Sequence, residues 1–114
     1  MRYVCNAFTP GMLPALQIRE GASLAVRFTR ISEDAARAFA LGADSAVGHA
    51  GTAEVLSSRL GREVPCERRT LTLHVGDEVL IAQLMGPRLP EGRVLTAAEV
   101  SAVGITFILA LVEQ

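Results

Sequence analysis

Residues 105–112 read Ile-Thr-Phe-Ile-Leu-Ala-Leu-Val, the longest apolar stretch of the chain, and a run of this length suits a buried strand. It falls well short of the ~18 apolar residues that would mark a membrane span. Gly104 introduces the run, and before it Thr96 caps a short helix through Val100. Ahead of that helix lies a polar turn, Gly86-Pro87-Arg88-Leu89-Pro90-Glu91-Gly92. Glu78 to Leu84 carries Val79, Leu80, Ile81 and Ala82, while Arg68 to Val75 places Leu71, Leu73 and Val75 on one face. With Gly76-Asp77 as the turn between them, these two segments predict a hairpin.

Toward the N-terminus, Tyr3 to Phe8 reads as an opening strand that Thr9-Pro10-Gly11 breaks, with Met12 to Gln17 as a loop or brief helical turn. In Ala22 to Arg30, Leu24, Val26 and Phe28 alternate with polar or small residues, the pattern of a strand with one buried face. Ser32 followed by Glu33 and Asp34 is a helix start: a side-chain cap, then acids beside the positive end of the dipole. That helix stops at Gly42, and a second runs from His49 or Gly51 to Leu60 with Gly61 as its C-terminal glycine. The order β, β, α, α, β, β, α, β predicts an α/β fold: a single compact domain over residues 1–114, with a mixed sheet of about five strands and flanking helices.

The 114 residues suit one domain, and with half of them hydrophobic a sizeable core forms without disulfides or metal. The net charge of −1 argues against a sheath of nonspecific affinity for DNA or RNA. Only Tyr3, Phe8, Phe28, Phe39 and Phe107 are aromatic, too few for a protein that stacks bases on aromatic platforms. All eleven basic residues are arginine. A GC-rich genome explains this more readily than selection for the planar guanidinium; either way, a basic group that meets phosphate here is a guanidinium or a histidine. Cys5 and Cys66 are isolated and form no zinc pattern with His49 and His74, so both read as small core residues of a reducing compartment. No metal or cofactor is expected. The absence of a signal-peptide core or an apolar span predicts a cytoplasmic protein away from membranes.

Three places invite chemistry. Gly48-His49-Ala50-Gly51 stands at a helix entrance, where backbone N–H groups and partial positive charge favour phosphate and a histidine suits a proton donor. The alternative is an N-terminal histidine packed on a neighbouring loop. Arg88-Leu89-Pro90-Glu91-Gly92 holds an arginine that can clamp a phosphodiester and a glutamate that can orient a histidine, or else is a surface turn with a weak ion pair. Asn6-Ala7-Phe8-Thr9-Pro10-Gly11-Met12 ends a strand in a small polar loop of the kind that binds anions through successive N–H groups, or is an ordinary turn. Arg68 and Arg69 open a strand, and alternation sends them to opposite faces. His74 reads as a surface residue.

Taken in order, Asn6-Ala7-Phe8-Thr9-x-x-Met12-Leu13, Val47-Gly48-His49-x-x-Thr52, Arg68, Gln83 and Arg88-Leu89-x-Glu91-Gly92-x-Val94-Leu95 resemble the type III anti-CRISPR ring nucleases. This small viral and prokaryotic family was first catalogued as a domain of unknown function, and the resemblance runs from Tyr3 to about Glu99. It implies a compact α/β homodimer that binds cyclic tetra-adenylate across its two-fold axis and cuts it without metal. The products implied are linear di-adenylates with a 2′,3′-cyclic phosphate, which would switch off type III CRISPR signalling. The resemblance assigns catalysis to His49, Arg88 and Glu91, and ligand binding to Asn6, Ala7, Phe8, Thr9, Met12, Gly48 and Arg68, with Arg69 as the alternative strand arginine. Thr9 stands where the family typically has serine, and one extra residue separates Gln83 from Arg88. A noncatalytic sponge for the same ring and a small dimeric regulator are the competing readings.

Overall fold

The computed structural model describes residues 1–85 and 104–113. Within them the chain forms β1 (Arg2–Cys5), β2 (Ala25–Ile31), α1 (Glu33–Ala40), β3 (Asp44–Ala46), α2 (Ala50–Leu60), β4 (Glu78–Met85) and β5 (Gly104–Glu113). The five strands make one mixed sheet in the order β2-β5-β4-β1-β3. β1 runs parallel to both its neighbours, pairing Val4 with Ser45 on β3 and with Leu80 on β4. β5 is antiparallel to β4 and β2, placing Leu109 opposite Leu80 and Ala110 opposite Phe28. The α/β architecture is therefore the one the sequence order implies, a compact domain with a mixed five-stranded sheet and two α-helices.

Alternation along β4 explains why residues 79–82 at its centre are all apolar. Leu80 and Ala82 join a cluster with Val4, Phe39, Val47, Leu56, Leu60 and Phe107 beneath the helices. Val79 and Ile81 point the other way, to Cys5, Leu13, Leu71, Leu73 and Val112. A strand covered on both faces has no polar face to present. Among the described residues, the second face is covered by two 3₁₀ turns (Pro10–Met12 and Pro14–Gln17) and by the segment 67–75.

Both helices end where their sequences dictate. Ser32 Oγ accepts the Ala35 N–H at 3.1 Å, and Glu33 and Asp34 occupy the first turn of α1. Gly61 closes α2 in the left-handed region at φ +68°, which a side-chain-bearing residue adopts only under strain. Glu33 Oε1 accepts from Arg59 Nε at 2.8 Å in an ion pair that brings Nη2 to 2.6 Å, and Arg37 Nε donates to the Arg59 carbonyl at 2.9 Å, which ties the helices side by side.

Several expectations need correction. The hairpin does not form: residues 67–75 make no strand, because β1 and β5 already occupy the two edges of β4. Leu71 and Leu73 are buried at period two as expected but Val75 is exposed, and the segment is anchored elsewhere, by Glu67 N–H to the Val47 carbonyl at 2.8 Å and Leu73 N–H to the Met12 carbonyl at 2.7 Å. Strand β3 is extra, and β1 ends at Cys5 rather than Phe8. Phe28 remains 55% exposed, so the alternation in β2 marks a face only partly covered; Phe8 meets it edge-on at 5.4 Å. Cys66 is exposed, whereas Cys5 is buried and its thiol is pushed up to about 11 by burial, partly offset by the Ala7 N–H. The proposed turn at residues 86–92 and helix at residues 96–100 lie outside the described residues.

Candidate functional site

The parallel arrangement of β1, β3 and β4 sends all three strands toward one edge of the sheet. Residues just beyond the carboxyl ends of parallel strands are the usual place for ligands in such sheets. β1 delivers Asn6 and Ala7 there, and β3 delivers Val47, Gly48 and His49 on the way into α2. β4 reaches the same edge at Met85, where the described residues stop; Arg88 and Glu91 follow three and six positions later and lie outside them.

An open concavity of about 460 Å³ sits at this edge, lined by Asn6, Ala7, Met12, Ala46, Gly48, His49, Arg68 and Arg69. Its size is within the ~300–1,000 Å³ range of small-molecule clefts. Five of the seven expected binding residues line it: Asn6, Ala7, Met12, Gly48 and Arg68. His49 joins them. Phe8 and Thr9 do not: Phe8 packs with the second apolar cluster, and Thr9 is the exposed residue before the first 3₁₀ turn. A larger concavity, about 830 Å³, runs along the outer side of α2 between Ala50 and Cys66, and contains none of the expected site residues.

The folding of residues 44–69 brings His49 and the two arginines together. His49 is the N-cap of α2 in an extended conformation, with its carbonyl accepting the Ala53 N–H at 2.9 Å and no capping bond from its imidazole to the helix. Its Nδ1 is buried. The start of α2 thus presents the positive end of an eleven-residue helix to the concavity. At the other end, Ser57 Oγ donates to the Ala53 carbonyl at 2.8 Å and accepts the Val64 N–H at 2.9 Å, turning the chain back after Gly61. Ser45 Oγ donates to the Pro65 carbonyl at 2.6 Å, and Cys66 then bridges to Val47 in parallel. Two residues later Arg68 arrives over Gly48, and its Nη2 donates to the Gly48 carbonyl at 3.4 Å.

Because residues 68 and 69 are not in a sheet strand, they do not diverge to opposite faces; both line the concavity. Arg69, expected only as the alternative to Arg68, lines the site beside it. Ala46 is the lining residue that the sequence left out, and nothing marked it, since β3 is only three residues long. His74 is exposed, as expected. Among the described residues no cluster of three or more His, Cys, Asp and Glu side chains is arranged to hold a metal ion, and no helix is long and apolar enough to cross a membrane.

Fold and site together define a small α/β protein whose cationic, helix-flanked concavity suits an anionic ligand. Residues 2–107 match the STIV B116-like family, and the chain belongs to it. The fold is similar to that of B116 from Sulfolobus turreted icosahedral virus, with a TM-score of 0.69 over 96% of this chain and 97% of that one, at 23% identity. It also resembles the uncharacterised protein ORF117 of Acidianus two-tailed virus, 48% identical over 61 residues, which are 53% of this chain. That alignment spans about half (51%) of the viral relative's length.

Proposed function

We propose that this protein is a metal-independent ring nuclease that binds cyclic tetra-adenylate at a homodimer interface and cuts it to linear di-adenylate with a 2′,3′-cyclic phosphate, ending a type III CRISPR signal. The observation that carries the reading is the convergence of Asn6, Ala7, Met12, Gly48, His49 and Arg68 on one concavity. These residues lie far apart in sequence, and the resemblance to ring nucleases had assigned each of them to one site.

The chemistry suits the side chains. A ribose 2′-hydroxyl attacks the adjacent phosphorus, loses its proton to solvent and displaces the 5′-oxygen, so the substrate brings its own nucleophile. In-line placement of the 2′-oxygen is a large part of the rate, and ring binding would set it. His49 is the group suited to protonate the departing 5′-oxygen, a role typically worth about 10²–10⁴ in rate. Arg68, the N-terminal end of α2 and Arg88 would offset the charge that builds on the phosphate oxygens. Glu91 would orient the imidazole or tune its basicity. A ring with repeating symmetry matches a two-fold dimer, in which each subunit presents the same groups to half of the ligand.

Incubation with excess cyclic tetra-adenylate in EDTA, with products separated by chromatography, tests the reading. Many turnovers yielding a 2′,3′-cyclic phosphate are expected. A reaction that stops at one ring per site would identify a sponge instead, and a strict metal requirement would contradict the mechanism.

A further inference from the structure

Arg68 and Arg69 share the concavity but are held differently. Arg68 packs over the loop that enters α2: its Cγ, Cα and Cβ lie 3.7–3.9 Å from where a Cβ on Gly48 would stand, and its guanidinium donates to the Gly48 carbonyl. Its backbone and side chain thus help to fix the approach to His49. Arg69 makes no such bond. Its guanidinium carbon lies 5.5 Å from the centre of the Tyr3 ring, and among the described residues no carboxylate pairs with it.

Tyr3 is a firm support. It sits mid-strand in β1, paired with Asp44 and Val79, and packs against the second apolar cluster. A ring beneath a guanidinium attracts the cation and covers one face of its plane. The N–H edges stay available in that plane, where their spacing matches two oxygens of one phosphate. Five donors on an exposed, aromatic-backed cation that lines the concavity suit an anion.

We propose that Arg69 is a second anion contact of this concavity, gripping a phosphate group of the ligand, and that Tyr3 is its positioning residue. The choice of a phosphodiester ligand rests on the ring-nuclease reading above; the cation held toward the concavity does not.

The test is a titration of the ¹⁵N-labelled protein with inorganic pyrophosphate and, separately, with cyclic tetra-adenylate, following the Arg69 Nε–Hε resonance. Wild type, Arg69→Gln, Tyr3→Leu and Tyr3→Phe are compared, with thermal unfolding to confirm that each variant is folded. Both ligands should move the Arg69 signal. Arg69→Gln should weaken both affinities about tenfold, the scale of a lost charge-assisted hydrogen bond. Tyr3→Leu should weaken them about threefold, and Tyr3→Phe, which keeps the ring face, should restore them. If pyrophosphate binds through Arg69 while the ring does not bind at all, the anion contact stands and the ring-nuclease reading falls. If Arg69→Gln binds the ring as tightly as wild type, the anion contact falls and the reading stands. Failure of both ligands to bind overturns the proposal.

Discussion

His49 draws its position from three separate constraints: the short strand β3 before it, the helix it caps, and the Arg68 chain lying over Gly48. As the proton donor of the proposed reaction it is separable from binding. His49→Ala should still bind cyclic tetra-adenylate, while single-turnover cleavage falls about 10²–10⁴-fold. Undiminished cutting would end the assignment. Asp77 offers a test of a different kind, on stability. Burial pushes its carboxyl upward, but the His74 N–H at 2.9 Å, the Met1 ammonium at 3.1 Å and the charge of His74 together outweigh that and hold it below the usual 3.8. A lowered carboxyl stabilises the fold fully above the unfolded value and loses that contribution as pH falls through the lower folded one. Thermal melts should therefore show Asp77→Asn destabilised at neutral pH, with the gap to wild type closing below about pH 4. At this scale the residue types were legible, since a histidine between two glycines at a helix start is visible in sequence. The shared placement of Arg68 and Arg69 was not. Alternation separates neighbours only in a strand, and the two arginines stand outside one.

Helix limits come from local chemistry, and they were the most legible elements. Ser32, Glu33 and Asp34 mark the start of α1, and Gly61 marks the end of α2, because caps and left-handed glycines act within a few residues. Gly61 also begins the return that carries the chain past Ser57 and Ser45 to Val47. Gly61→Ala would meet no atom within 4 Å, so its cost is conformational, about 1 kcal/mol from holding alanine at φ +68°. Chemical denaturation should report that loss with an unchanged slope. A greater loss, together with weaker ligand binding, would mean that the return to Arg68 had shifted as well. The failed hairpin belongs to this scale too. Leu71, Leu73 and the turn at Gly76 are compatible with one, yet the alternating burial of an extended segment is the same whether it pairs in a sheet or lies across its face.

Across the whole molecule, the sheet order decides the site. β1 lies between two parallel neighbours, so the loops after β1 and β3 and the end of β4 emerge on one edge. The proposed ligand would bridge two copies of that edge, and sedimentation or light scattering should give twice the chain mass at micromolar concentration. A monomeric mass that persists with bound ring would refute the shared site. The sequence by itself determined the α/β class, the boundaries of α1 and α2 and the strand character of β5, though that strand is only half-buried along most of its length, because periodicity, capping and apolar runs act over a few residues. Its order of blocks also named the chemistry to look for. Only the tertiary structure decided that β4 pairs with β1 and β5, that residues 67–75 cover the sheet without joining it, and that Arg68 and Arg69 line one concavity with His49. Those outcomes depend on which strand claims each hydrogen-bonding edge first, and no local pattern records that competition.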